Sequence, residues 1–407
     1  MTSETPYEVK PEQLQEIFHE DIKDLVFAGI GRTHKPTLVL LGGQLAAGKS
    51  TATKRIIKYH GDDIAPVTPD NFRKFHPHYS KIQQERPLDM AALTNEAMHR
   101  WNEMTQQHAH AHGYSLILEG TFAHPSRVMG VVERFAQAPE PGAHEGFRIE
   151  AVAMAVSEYR SRLDMVKRYL SEPPEEGRWA DAESHDRIYG MVPQTLDTLE
   201  ASPHVDRIVV TDRSGTIYYE NERGDDGRWS RPPRAGEALK EARSEGEVPF
   251  SRVEASEWLA SYWENAEQLI ERGELGPVTA GTMLALHSDA DLVAPIAYNG
   301  DKEALDLHQR WQTVQKVVFQ AGLRGVDNVD LPQSPLKFLE AGAEDKARFL
   351  AAFTQSPDKR VGSAADLTTT ETVRRAQHGL APPNTSPAPP QQPDPRRRSD
   401  PGSGIER

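Results

Sequence analysis

The chain contains no cysteine. Disulfides, cysteine-rich zinc sites and thiol catalysis are therefore excluded, while the absence says little about compartment. No apolar run approaches the roughly 18 residues that a membrane helix needs. Positive charge is also scarce: 47 Lys and Arg stand against 61 Asp and Glu, a net charge of −14. A protein built to coat nucleic acid needs an excess of Lys and Arg to neutralise phosphates, so that class is set aside. A locally basic pocket remains compatible with the balance. Met1 to Lys10 lacks a basic stretch followed by an apolar one, so no secretory signal is expected. There is no internal repeat. The expectation is a soluble cytoplasmic protein without a nucleic-acid or membrane partner, and 407 residues leave room for two domains plus tails.

What is present begins with Gly43-Gln44-Leu45-Ala46-Ala47-Gly48-Lys49-Ser50, a full match to the G-x-x-x-x-G-K-[ST] phosphate loop. It follows the apolar run Thr37-Leu38-Val39-Leu40-Leu41 and precedes a stretch to Tyr59 without Gly or Pro, closed by Gly61. Strand, glycine loop and helix N-terminus is the setting the motif requires, because loop amides and the helix dipole then face one anion. Gly43, Gln44, Ala46, Ala47, Gly48, Lys49, Ser50 and Thr51 form the expected nucleotide-binding set. Lys49 supplies charge to the phosphates, and Ser50 offers its hydroxyl to Mg²⁺. The implied cofactors are ATP or GTP with Mg²⁺.

Periodicity organises the rest. Gln13 to Val26 has helical spacing, and strands are expected at 38–41, 115–118, 149–156 and 207–210. Helical patterns at 90–110 and 158–170 lie between them, the second with Ser157 as its expected N-cap. Asp212-Arg213-Ser214-Gly215 reads as a hairpin turn leading into Thr216–Tyr219. This order predicts an α/β fold with a mostly parallel sheet flanked by helices. Gly224–Gly236 reads as a linker, and Ala304, Leu307, Trp311, Val314 and Val318 mark a helix that ends at Gly322. The organisation expected is a kinase-type domain over 1–230, a helical accessory region over 231–355, and a Pro-rich disordered tail over 356–407. Arg396-Arg397-Arg398 in that tail reads as a solvated charge run. Trp258, Tyr262, Trp263 and Trp311 suit the packing of accessory helices. His108, His110 and His112, two apart on a helix end, diverge and do not share a metal-binding face.

Three further segments bear on chemistry. Asp70, in Val67-Thr68-Pro69-Asp70, falls just past a strand at the carboxyl edge where ligands bind, and can take a proton from a substrate hydroxyl. Judged alone, such an Asp is more often a turn or cap residue. Leu118-Glu119-Gly120-Thr121 brings a carboxylate out of a buried strand, suited to Mg²⁺ or substrate. Arg168 and Arg178 bracket Pro173-Pro174-Glu175-Glu176-Gly177 and can spread the charge of a transferring phosphoryl group.

Taken in order, these pieces resemble the zeta toxins of bacterial toxin–antitoxin systems, from the N-terminal helix to about Glu222 and weakly to about residue 270. The carrying motifs are Leu40-Leu41-Gly42-Gly43-Gln44, Asp70-x-Phe72-x-x-x-His76-Pro77 and Gly113-Tyr114-Ser115-Leu116-Ile117-Leu118-Glu119-Gly120-Thr121. Lys167-Arg168-Tyr169 and Arg178 followed by His185-Asp186 complete them. The resemblance implies a P-loop small-molecule kinase that phosphorylates the 3′-hydroxyl of the amino-sugar in UDP-N-acetylglucosamine. It implies Lys49 on the β/γ-phosphates, Ser50 on Mg²⁺, Asp70 as general base, and Arg168 and Arg178 on the transferring group. Glu119 and Thr121 would border the sugar-nucleotide pocket, with Glu103, or Glu96 if the helix register slips, as a further contact. An antitoxin occluding the nucleotide site is implied as partner.

Two departures stand out. Leu45-Ala46-Ala47 replaces the Pro-Gly-Ser common in the family, and Thr68-Pro69 replaces a more polar pair before Asp70. They leave open another hydroxyl acceptor, such as an antibiotic, a dinucleotide or a different UDP-sugar. A nucleotide-dependent binding or regulatory module is the reading from another class. In either case the helices after residue 270 can restrain the domain in cis.

Overall fold

The computed structural model describes residues 7–139, 144–171, 178–328 and 342. The expected Pro-rich tail, with its arginine run, and most of the accessory region beyond residue 328 lie outside these residues. Six strands form one sheet in the order β2-β3-β1-β4-β5-β6. They are β1 Thr37–Gly42, β2 Ala65–Val67, β3 Leu116–Glu119, β4 Arg148–Met154, β5 Arg207–Thr211 and β6 Ile217–Glu222. Neighbours pair in parallel, save for the antiparallel β5–β6 hairpin, which meets the expected fold class.

The apolar run of β1 has a direct cause. Val39 and Leu41 enter the core on one face, Leu38 and Leu40 the core on the other, and a strand covered on both faces cannot alternate with polar residues. The short β2 carries Pro66, and the residues gave no bounds for the strand expected before Asp70. β2 lies at the sheet edge, the position where a missing N–H leaves no ladder bond unmade.

The helices are α1 Pro11–Ile17, α2 Lys23–Val26, α3 Lys49–Tyr59, α4 Tyr79–Glu85, α5 Met90–Leu93, α6 Asn95–His112 and α7 Pro125–Ala136. They continue as α8 Glu158–Leu170, α9 Ala182–Ala201, α10 Ala235–Arg243, α11 Arg252–Glu271, α12 Ala280–Ala297 and α13 Lys302–Leu323. α3 covers one face of the sheet, with Ala52 in its core. α6, α7, α9 and α10 contribute Trp101, Phe135, Leu196 and Leu239 to the core of the other face. Tyr159, Leu163 and Val166 of α8 meet Trp258, Leu286 and Val318 of α11, α12 and α13 in a separate core.

Several local expectations are corrected. The helix over Gln13–Val26 is broken by a π-helical turn at Phe18–Ile22, which places Phe18 and Ile22 in the core. The pattern over 90–110 splits into α5 and α6 at Thr94, whose hydroxyl donates to Met90 O (2.7 Å) and accepts from Arg73 Nη1 (2.7 Å). Thr94 N also donates to Met90 O (3.1 Å) and Met98 N to Thr94 O (3.1 Å), so the hydroxyl adds to the backbone bonds there and does not replace them. Ser157 occupies the N-cap of α8 without a side-chain cap bond. Gly224–Gly236 is no free linker: Trp229 Nε1 donates to Glu200 O (2.8 Å), Arg223 covers the Trp229 ring, and Ala235 N donates to Glu200 Oε2 (2.7 Å). α13 runs through Gly322, where a Cβ would meet Leu275 Cγ at 2.8 Å, and the chain turns at Gly325 with φ +79°. His108 and His112, four apart, do share a helix face, with ring centroids at 4.2 Å, while His110 and His112 bond backbone carbonyls, of Gln137 and His108 respectively.

At the end of the sheet opposite the phosphate loop, Glu150 is buried between Arg207 (2.9 Å) and Arg148 (3.0 Å), with His60 at 3.6 Å. Burial pushes the Glu150 carboxyl up, but its contacts with these neighbours outweigh it and bring it down to about 2 from an ordinary 4.5. The arginines, at hydrogen-bonding distance, hold it more firmly than His60 does. A depressed carboxyl stabilises the fold above its unfolded value, and that stability is lost as pH falls through the folded value. Glu150→Gln is therefore expected to cost on the order of 3 kcal/mol at pH 7. The gap to wild type should narrow between pH 4.5 and 2, as read by urea denaturation. A gap that does not change with pH contradicts this.

Candidate functional site

The loop between β1 and α3 turns sharply. Ala46 (φ +52°) and Gly48 (φ +86°) both adopt the left-handed conformation. Glycine suits that state, and an alanine there stores about 1 kcal/mol of strain or more. At Gly48 a Cβ would also meet Arg213 Cγ at 2.9 Å. Arg213, in the β5–β6 turn, donates to Ala46 O (2.6 Å) and pairs with Asp164 (2.6 Å), clamping the outside of the loop. Lys49 Nζ lies across the inside, donating to the carbonyls of Gly43 (3.1 Å) and Gln44 (3.0 Å). Burial lowers the Lys49 pKa, and Glu119 works in the opposite direction. Ser50 and Thr51 occupy the first turn of α3, which holds no acidic residue, so its positive dipole end stays uncompensated.

Across from the loop lies a cleft of about 390 Å³. Asp70 sits in a 3₁₀ turn, Pro69–Phe75, directly after β2. Its Oδ1 receives Arg178 Nη1 (2.6 Å) and Arg73 Nε (3.1 Å). Burial pushes the Asp70 carboxyl up, but Arg178 and then Arg73 outweigh it, and the net shift is downward. Arg178 is itself lowered, by burial first, with Asp70 opposing. Glu119 ends β3 and accepts from Thr68 Oγ1 (3.1 Å). Phe122 follows with φ +56°. Its ring lies so close to Gly42 that a Cβ there would fall 2.1 Å from it.

Of the residues expected at the site, Ala46, Lys49, Asp70, Glu119, Thr121, Arg168 and Arg178 line this single cleft. Gly43, Gln44, Ala47 and Gly48 form the loop that backs it. Glu103 does not reach it. It sits on the outer face of α6, half exposed, near Arg100 (3.8 Å) and Gln107, because the inward face of that helix is one position earlier, at Asn102. Glu96 is exposed as well and lines no part of the cleft.

Residues missed from the sequence include Arg73, His99, Asn102, His124 and Arg127, all lining the cleft. The spacing of Asn95, His99, Asn102 and Gln106 along one helix face was the available signal. With Lys49, Arg73, Arg127, Arg168 and Arg178 against Asp70 and Glu119, the cleft is basic inside an acidic chain. His99 is lowered by burial first, then by Arg73 and Arg127. Such a cleft suits an anionic ligand. For Mg²⁺ the fit is the one a phosphate site needs. Among the described residues no group of three or more His, Cys, Asp or Glu could hold a metal. Mg²⁺, however, is held by one or two protein oxygens together with substrate phosphates, and Ser50, Asp70 and Glu119 offer such oxygens.

Comparison with known proteins agrees with this geometry. The zeta toxin family matches residues 25–224. Toxin PezT of Streptococcus pneumoniae serotype 4 is 27% identical over 191 residues, covering 46% of this chain and 73% of that protein. Toxin zeta of Streptococcus pyogenes is 23% identical over 212 residues, covering 51% and 71%. A solved structure from the PezAT chromosomal toxin–antitoxin system of Streptococcus pneumoniae superposes with a TM-score of 0.50 at 21% identity. It covers 65% of this chain and 98% of that one, and so shares the fold. No described helix is long and apolar enough to cross a membrane. The phosphate loop, the parallel sheet and the sequence match all fall in the same segment, so the match to the zeta toxin family is carried by residues 25–224, just under half of this chain.

Proposed function

We propose that this cleft transfers the γ-phosphoryl group of ATP or GTP to a hydroxyl of a small anionic acceptor. The acceptor favoured by the match to the zeta toxin family is the 3′-hydroxyl of the amino-sugar in UDP-N-acetylglucosamine. The observation that carries the reading is the placement of Asp70, Lys49, Arg168 and Arg178 around one cleft. Lys49 and the first-turn amides of α3 would hold the β- and γ-phosphates, and Ser50 would ligate Mg²⁺. When bound, Mg²⁺ neutralises charge on the bridging phosphates. Both ion pairs of Asp70 fall on Oδ1, so Oδ2 is the oxygen that would take the acceptor's proton. A carboxyl held this low is a weak base. In a loose transition state its main work is to orient the hydroxyl in line, with the proton moving late. Arg168 and Arg178 would stabilise the transferring group, and Glu119 and Thr121 would border the acceptor. Glu103, on the outer face of α6, takes no part. Asn102 and His99 occupy the cleft side of that helix, and this difference supports a second reading in which the acceptor is another hydroxyl-bearing metabolite.

Toxin activity follows if the acceptor is a cell-wall precursor, and an antitoxin covering the nucleotide site would be its partner. The domain division proposed is a kinase domain to about residue 230, then the accessory region and the tail. α10 nevertheless packs into the kinase core.

With ATP or GTP, Mg²⁺ and UDP-N-acetylglucosamine, the purified protein is expected to yield a monophosphorylated sugar nucleotide. Asp70→Asn and Lys49→Ala should each lower turnover by about a hundredfold or more and relieve growth inhibition in cells. Absence of product from a folded, nucleotide-binding protein rejects this acceptor, and a mass-shift screen of hydroxyl compounds then tests the second reading. Growth inhibition that survives in both variants points instead to a binding module. Because Arg73 holds Asp70 down, Arg73→Met should raise the Asp70 carboxyl pKa. The acid limb of the kcat/KM profile would then move to higher pH, and a ¹³C-detected titration of Asp70 reads the same shift directly.

A further inference from the structure

The family match ends at residue 224, yet a side chain beyond it reaches the phosphate loop. Arg243, at the C-terminal end of α10, is 1% exposed. Its Nη2 donates to Gln44 Oε1 (2.7 Å) and its Nη1 to Tyr189 O (3.0 Å), and its guanidinium lies 4.2 Å over the Tyr189 ring. No carboxylate pairs with it among the described residues, and its Nε has no partner. A buried arginine held by a carbonyl, an amide oxygen and a ring is a costly way to fill space, since an apolar side chain would avoid the desolvation.

The other end of the contact explains what it holds. Gln44 is fully buried. Its Nε2 donates to Val156 O (2.8 Å) and Ser161 Oγ (3.2 Å), while Oε1 takes Arg243. The amide is thus held at both ends, and this network also fixes which end is oxygen. The backbone of the same residue carries the loop: Gln44 O accepts Lys49 Nζ (3.0 Å) and Ala47 N (3.3 Å).

We propose that Arg243 is a positioning residue of the phosphate loop, acting through the Gln44 side chain to hold the backbone that carries Lys49 and the phosphate-facing amides. The loop site is thereby completed by a helix outside the matched family segment. This rests on the nucleotide-binding reading above. Burial brings Arg243 down to about 10, so it remains a cation at neutral pH. Ser161, the second anchor of Gln44, is held in turn by His185 (2.8 Å).

The test uses the full chain, with a fluorescent ATP analogue for Kd and thermal melting without nucleotide for fold. Arg243→Met is expected to weaken nucleotide binding about tenfold, the worth of one charge-assisted hydrogen bond. Gln44→Met should do the same. The double variant should bind no more weakly than Gln44→Met alone, because Arg243 acts only through that side chain. Arg243→Lys, which can still donate to Gln44 Oε1, should recover part of the affinity. An Arg243→Met protein that melts lower but keeps its Kd would make the contact merely structural and overturn the proposal. So would losses that multiply in the double variant. If Arg243→Met does not fold, the Kd of Arg243→Lys alone and with Gln44→Met decides the matter in the same way. A folded wild-type chain that binds nucleotide no better than Lys49→Ala rejects the nucleotide reading itself, an outcome distinct from an unchanged Kd in the Arg243 variants.

Discussion

Everything at this site depends on one short turn of backbone. Between β1 and α3 the chain turns back sharply, and it does so with left-handed residues at Ala46 and Gly48. Backbone in that state does not hold itself, least of all where an alanine supplies it. The surroundings supply the restraint. Arg213 grips the outer carbonyls, Lys49 crosses the inner ones, and the buried amide of Gln44 ties the loop to Val156, Ser161 and Arg243. Each tie comes from a different part of the fold, so the loop is the place where the β5–β6 turn, α8 and α10 meet.

The electrostatics follow from the same arrangement. A chain of net charge −14 gathers arginines and a lysine around one cleft, where burial strips away the water that would otherwise screen them. Asp70 and Glu119 are the carboxylates set among these cations. Their presence makes the cleft a place where an anion can be held beside a proton acceptor. The cost of such a concentration of like charge is offset by the pairing of Asp70 with Arg73 and Arg178, which keeps the carboxylate ionised and the arginines in place.

Much of the architecture was legible in the residues. β1 announced itself as an apolar run because it is covered on both faces, and the hairpin at Asp212–Gly215 announced itself by turn chemistry. α8 follows the expected bounds, 158–170. What failed did so for tertiary reasons. β2 is three residues long with a proline, permitted only because it lies at the edge of the sheet. The break falls at Thr94, where Arg73, 21 positions earlier, finds an acceptor. Glu103 was carried over by motif spacing, and a one-residue difference in helix phase puts Asn102 in the cleft instead.

The sequence by itself determined that a phosphate loop stands between a buried strand and a helix, and that a carboxylate and two arginines follow in a kinase-like order. Those are local facts, written in spacing and residue type. Only the tertiary structure decided which side chains share the cleft, that Arg73 and Arg178 both fall on Asp70, and that Arg243 reaches Gln44. The physical reason is that charge and hydrogen bonding act through space. An arginine 199 positions away from its partner leaves no periodicity in the chain, and only packing brings the two together.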